Sequence, residues 1–401
     1  WGRGRREPRG TSGEVGGGEG PRGSRLTVTS LLRPAAGTDP AGGDRFPRMT
    51  DDAFTPRPFR PAWWLPGAHA QTIAGRYIRP PHGVRYRRER VETPDGDFLD
   101  LDFATVDGAP AAGDDAPLCV AVHGLEGSAQ SSYVLETSRA LAEHGIRTVA
   151  MNFRSCSGEP NRTARFYHAG ETGDLGFLLD LLAARFPRAT LLGAGFSLGA
   201  NVLLKYLGEQ GEASRIRAAT AISIPFDLGL GADKLAASFM GRAYTRHFVR
   251  RLVVKYRLKR AAGVRLDGVE LDERRMRRWS SFRDFDDALT ARLHGFADAD
   301  DYYTRSSSGG YLHGIRVPTL LVHALDDPFV DERAIPHAVI DANPHLHTAF
   351  VPRGGHVGFI TGPPHAPRFW AEREAARFLA ARAERIVRES PGKTAVTSSG
   401  Q

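Results

Sequence analysis

Six short, mainly apolar runs, at 118–122, 147–153, 190–196, 218–224, 318–323 and 348–352, alternate with stretches of helical periodicity. A strand that is apolar on both faces has to be covered on both faces. A mostly parallel sheet between two layers of helices provides that cover. The expected class is therefore α/β, with one large core. Ahead of these runs, residues 84–91 and 98–103 alternate polar and apolar side chains around Thr93-Pro94-Asp95-Gly96, the pattern of an antiparallel hairpin with one wet face.

The spacing of the runs is uneven in one place. Roughly 90 residues separate the strands at 218–224 and 318–323, far more than a crossover needs, so a helical cap is expected over 228–312. The core then comprises 83–227 and 313–388, residues 49–82 wrap against the cap, and 389–401 form a Ser/Gly/Thr-rich flexible tail.

Residues 1–48 differ from the rest. They hold twelve Gly and five Pro, a composition that cannot bury enough apolar surface to order a chain. Met49 reads as the natural start, with 1–48 as upstream sequence; the tract is Arg-rich but lacks the apolar stretch of a secretory signal. Its nine Arg against five acids supply half of the formal charge of +8. The remaining residues are only mildly basic, which weakens a nucleic-acid reading built on charge, and no nucleic-acid partner is expected. Two cysteines, Cys119 and Cys156, make no disulfide framework, and no apolar run reaches 18 residues. The expectation is a soluble cytoplasmic protein.

Chemistry enters at Gly195-Phe196-Ser197-Leu198-Gly199, which sits between the strand at 190–196 and a helix at 200–207. A strand that turns sharply into a helix strains the residue between them and pushes its side chain outward. Flanking glycines are needed because a Cβ would strike the neighbouring strand or helix. In a chain with 45 Gly the pattern alone is weak, and its context decides. A serine hydroxyl needs a base, and the base needs an orienting carboxylate, in the order Ser, Asp, His. Asp326 and Asp327 follow the strand at 318–323, and His356 lies in the glycine-rich loop after 348–352. Asp327 is the preferred acid because it precedes Pro328 in the turn nearer the histidine loop, with Asp326 bracing the turn. His313, His323, His337, His345, His347 and His365 compete for the base's place. His323 reads as a core histidine, and no Cys or carboxylate spacing turns His345 and His347 into a metal site.

The loop His123-Gly124-Leu125-Glu126-Gly127-Ser128 follows another buried strand. Its Leu125 N–H, with the Leu198 N–H after the serine, forms the candidate oxyanion hole. His123 and Gly124, with Asn152 and Arg154 on the same rim, are the candidate substrate-binding residues. Asn152 and Arg154 equally suit the task of satisfying the turn at 155–158.

Eight blocks in this order resemble a known family. They are 61–73 with Trp63 and Trp64, 123–128, 151–158, 167–174, 195–201, Phe282-Arg283-Asp284-Phe285-Asp286, 324–329 and 354–359. The chain is similar to the YheT-like branch of the α/β-hydrolases, related to medium-chain alcohol acyltransferases and hydrolase-domain phospholipases. Ser155 and Ala200 stand where that family is expected to carry Gly. The resemblance implies an α/β-hydrolase fold, a Ser197-Asp327-His356 triad, no cofactor and no metal. It also implies small-molecule or lipid ester substrates cleaved through an acyl-enzyme. An acyltransferase acting on alcohols, and a non-catalytic binding protein of the same fold, are the alternatives.

Three further features carry expectations of their own. Residues 241–260 interleave Arg and Lys with apolar residues at helical spacing, which suits either a lid helix with its cations in solvent or contact with a lipid surface. Trp63, Trp64 and Gln71 are expected against the cap, with the indoles closing one side of the pocket. Glu171 and Asp174 read as structural residues at a helix start.

Overall fold

Leu191–Phe196 forms the strand β5, buried at every residue, with β3 (Leu118–Val122) beside it and buried in the same way. The computed structural model describes residues 54–389 except 79–82, 267, 268, 270, 271, 277, 278 and 280. The tract 1–48, Met49 and the tail beyond residue 389 lie outside the described residues.

The main sheet has eight strands in the order β1-β2-β4-β3-β5-β6-β7-β8, where β1 is Val84–Glu92, β2 Phe98–Val106, β4 Arg147–Met151, β6 Ala218–Ile222, β7 Thr319–Ala324 and β8 Leu346–Val351. β2 runs antiparallel to β1 and β4, and all other neighbours are parallel. The chain leaves β3 for β4 on one side and returns to β5 on the other. Ligands gather at such a reversal, because loops at the strand ends diverge there and leave a crevice. In register, Val122 stands opposite Gly195 and Ala324 opposite Val351. The loop after β3 therefore meets the turn after β5, and the loops after β7 and β8 leave side by side.

One sheet face packs on α2 (Ser132–Ala142) and α8 (Trp370–Glu389), with Leu192, Phe196, Leu320 and Val322 against Leu141, Phe378 and Leu379. The other packs on α3 (Gly173–Arg185) and α4 (Leu198–Gln210), with Val120 and Val122 among Leu175, Leu178, Leu203 and Leu207. Each large apolar side chain taken from water here contributes about 1.5–3 kcal/mol.

The hairpin departs from expectation on its polar face. Asp100 and Asp102 of β2 are buried rather than wet, because Arg90 and Arg88 of β1 lie over them as two-pronged partners, with N–O distances of 2.8–2.9 Å.

Between β6 and β7 the chain builds α5 (Leu228–Ala237), α6 (Phe239–Ala261), several short turns and α7 (Ala299–Ser306). Asp227 and Ser238 cap α5 and α6 through their side chains. α6 buries Thr245, Val249, Leu252, Val253 and Tyr256, the inward stripe of an amphipathic helix. Lys259 breaks the simple picture of outward cations. Its ammonium is buried on the Thr163 and Arg165 carbonyls, and burial pulls its pKa down to about 8.

The N-terminal segment touches the cap through His69 and Tyr244, but most of its hydrogen bonds go elsewhere. α1 (Gly67–Tyr77) packs on the histidine loop, where the Gln71 amide donates to the Ile360 carbonyl and accepts from the Ile360 N–H. Trp64 donates to the Gly362 carbonyl, while Trp63 is 78% exposed. Neither indole lines the pocket; Thr72, Ile73 and Tyr77 of α1 do.

Candidate active site

Ser197 occupies the turn between β5 and α4 with φ 51° and ψ −119°, a strained conformation that aims its hydroxyl out of the sheet. Both flanking glycines are required by close approach. A Cβ on Gly195 would stand 2.7 Å from the Gly199 carbonyl oxygen, and one on Gly199 would stand 2.3 Å from that of Val122. The Ser197 N–H donates to the Ile222 carbonyl at 2.9 Å, which pins the turn to β6.

His356 Nε2 lies 2.8 Å from Ser197 Oγ, and His356 Nδ1 lies 2.7 Å from Asp327 Oδ2. The carboxylate only accepts, so Nδ1 carries the ring proton and Nε2 is free to accept from the serine hydroxyl. Burial raises the Asp327 pKa, but the adjoining His356 ring, its hydrogen bond and the Phe329 N–H outweigh it and hold the group below the usual carboxylate value. Phe329 stacks on the His356 ring at 4.3 Å.

Asp326 takes the bracing position. One of its oxygens accepts from the Gly354 and Gly355 N–H groups at 2.8 and 2.9 Å, which fixes the loop that presents His356. The other histidines stand apart from Ser197 in different ways. His323 is buried in β7 between Phe226 and Phe350, where burial lowers its pKa to about 4. Among the described residues no cluster of three or more His, Cys, Asp or Glu could hold a metal ion.

The loop after β3 brings Leu125 over the turn. The neighbouring Gly124 N–H is taken by the Tyr133 hydroxyl and the Glu126 N–H by that of Tyr167, both at 2.9 Å. The Leu125 N–H has no acceptor among the described residues. As the first residue of α4, Leu198 has no helical acceptor for its N–H either. Both residues line one cavity with Ser197 and His356.

Of the four candidate pocket residues, only Gly124 lines that cavity. His123 is buried beneath the loop, with Nδ1 on the Gly124 carbonyl and Nε2 accepting from the Phe153 N–H. Burial holds its pKa at about 3. Asn152 accepts from the Ala129 N–H and donates to the Asp100 carbonyl and the Asp102 carboxylate. Arg154 is buried between Asp174, Asp97 and Asp95. None of these three side chains reaches the cavity, contrary to expectation. A polar side chain at a strand end can turn inward to meet buried partners as readily as outward, and here each partner set is complete.

The cavity has a volume of about 1370 Å³. Its walls include polar groups that the sequence did not single out by role. Glu126, in the left-handed region at φ 55°, binds Lys255 at 2.7 Å and Tyr167 at 2.7 Å, and Lys255 also reaches Cys156 at 2.8 Å. Asp286 accepts from Thr290 and Tyr303 at 2.6 and 2.8 Å, and burial raises its pKa to about 6. The only sequence signal for Asp286 was its place in the block 282–286.

The α/β-hydrolase fold model matches residues 117–363. The chain belongs to the α/β-hydrolase family, among its esterase- and lipase-type enzymes. It is 38% identical over 314 residues to YheT of Escherichia coli K12, a protein provisionally named as an esterase, covering 78% of this chain and 90% of that one. It is 28% identical to the mouse Phospholipase ABHD3, over 80% of this chain and 78% of the relative. With the Saccharomyces cerevisiae Monoacylglycerol lipase the identity is 31%, over 66% of this chain and 60% of the relative.

Proposed function

We propose that this chain is a serine esterase that cleaves short- to medium-chain acyl esters or acylglycerols through an acyl-enzyme. The observation that carries the reading is the unbroken hydrogen-bond chain from Ser197 Oγ through His356 to Asp327. His356 Nε2 takes the hydroxyl proton as Ser197 attacks the ester carbonyl. The Leu125 and Leu198 N–H groups receive the developing oxyanion. As the tetrahedral intermediate collapses, His356 returns the proton to the leaving alcohol. Water then repeats the sequence on the acyl-enzyme and releases the acid. Asp327 holds the ring in the productive tautomer and stabilises its charged form.

The mainly apolar cavity suits an acyl chain, and the names of the relatives support an ester substrate. The test is fluorophosphonate labelling beside hydrolysis of p-nitrophenyl esters from C2 to C16, on wild type and Ser197→Ala. Labelling and turnover are expected to vanish together in the variant. A well-folded wild type that neither labels nor turns over would refute the reading. Adding short alcohols to the same assay separates hydrolysis from acyl transfer.

A further inference from the structure

The cavity is lined by both α1 and α6, which His69 Nδ1 and the Tyr244 hydroxyl join at 3.1 Å. On α6, Arg246, Arg250, Val254 and Leu258 follow one another at intervals of four, so they share one helix face, and all four are exposed and line the cavity's edge. On α1, Ile73, Arg76 and Tyr77 are spaced three and four apart and line it from the other side. His247, on α6, has its pKa lowered first by burial and then by the Arg76 guanidinium of α1 and by Arg251, against a smaller opposing pull from Glu126. The cations of the two helices therefore act on one region.

This rim gathers four of the eight large apolar side chains that stand exposed among the described residues. Arg76, Arg246 and Arg250 have no carboxylate partner among the described residues, while the neighbouring Arg251 is held by Glu126. Ile73, Tyr77, Val254 and Leu258 are 43%, 73%, 49% and 51% exposed. Large apolar side chains grouped with unpaired guanidiniums match a surface that is anionic outside and apolar beneath. A guanidinium holds a phosphate with two parallel hydrogen bonds, and the apolar side chains gain by leaving water. A free anion would satisfy the arginines but leave the apolar side chains wet.

We propose that the α1–α6 face docks this protein on a membrane surface containing anionic lipid, with Arg76, Arg246 and Arg250 on headgroup phosphates and Ile73, Tyr77, Val254 and Leu258 among the upper acyl chains. The cavity opens on the same face, so an acyl chain would pass from lipid to Ser197 without crossing water. That use of the surface rests on the esterase reading; the docking itself does not.

The experiment is co-sedimentation of the full chain with vesicles of phosphatidylcholine alone and of phosphatidylcholine mixed with phosphatidylglycerol. The mixed vesicles are expected to bind more tightly, with binding weakened by added salt. The triple variant R76Q/R246Q/R250Q should lose about 100-fold in partitioning, since each surface Arg contributes about 1 kcal/mol. The pair V254S/L258S should weaken binding to a degree that salt does not change. Unchanged thermal midpoints show that the variants remain folded. Equal binding to both vesicles, or unchanged partitioning of the triple variant, overturns the proposal. Saturable binding of inorganic phosphate without vesicle partitioning overturns it in favour of a free-anion site. Fluorophosphonate labelling in the absence of vesicles reads the esterase assignment separately, so failure of one is visible apart from failure of the other.

Discussion

The Thr72 hydroxyl accepts a hydrogen bond from the His356 N–H at 2.9 Å, across 284 positions of sequence, while donating its own proton to the Ala68 carbonyl at 2.7 Å. The first helix of the described chain thus holds the loop that carries the candidate base. Gly355, at φ 66°, lets that loop press onto α1, where a Cβ would stand 2.5 Å from the Ala68 carbonyl oxygen.

Removing that acceptor should loosen the base without touching the chemistry. Thr72→Val leaves the His356 N–H without its partner, a cost of about 1–2 kcal/mol borne by the loop. The kcat for a p-nitrophenyl ester should fall about tenfold with KM little changed, and Thr72→Ser should restore it. Wild-type kcat in Thr72→Val would show that the loop keeps its geometry unaided.

The adjacent carboxylates should separate cleanly. Asp327→Asn presents an amide that favours the wrong ring tautomer, and turnover should fall by about 10³–10⁴. Asp326→Ala should cost about 1–3 kcal/mol of stability by leaving the Gly354 and Gly355 amides without their acceptor, with a smaller loss of kcat. Parallel denaturant melts and steady-state rates distinguish the two, and the reverse ranking would exchange their roles.

Asp286 should leave a signature in the pH dependence of stability. Its pKa rises on folding from 3.8 to about 6, so the folded state binds more protons than the unfolded chain between those values. Stability from this group is therefore present at low pH and lost as pH rises from about 4 to about 6. Asp286→Asn should flatten that part of the stability profile and leave the protein relatively more stable above pH 6. A profile identical to wild type there would mean that the carboxyl titrates normally.

His123 should act in the opposite sense. The unfolded ring protonates near 6.5 and the folded one near 3, so the unfolded chain binds more protons below 6.5. Its contribution is complete above 6.5 and lost as pH falls toward 3, at up to about 1.4 kcal/mol per pH unit. His123→Gln should lower stability at neutral pH, where the Phe153 and Gly124 contacts weaken, and reduce the slope below 6.5. Urea midpoints taken from pH 7.5 to 4.5 measure both effects.

Much of this architecture is legible in local pattern. The apolar runs locate the strands to within a few residues because a strand buried on both faces has little use for polar side chains. Gly195 and Gly199 mark the turn at Ser197 because only glycine fits against the Gly199 and Val122 carbonyls. The order Ser197, Asp327, His356 follows from strands that end on one rim.

What the pattern could not carry was direction. Asp326 and Asp327 are chemically identical neighbours; the turn at Pro328 favours Asp327 as the acid, and the path of the loop after β8 fixes it by sending Asp326 to the backbone of residues 354 and 355 and Asp327 to the imidazole. His123, Asn152 and Arg154 stand on the expected rim but turn inward, because Phe153, Asp102 and Asp174 wait there as partners from distant positions. Lys259 reads as one more solvated cation until the Thr163 and Arg165 carbonyls close around it. α1 goes to the histidine loop because Gln71 finds both backbone groups of Ile360 there, 289 residues away. The sequence by itself determined the strands, the strained serine and the chemical types of its partners, since each depends on neighbours along the chain. Which way each polar side chain points was decided only by the tertiary structure, because a buried polar group goes where its partners are.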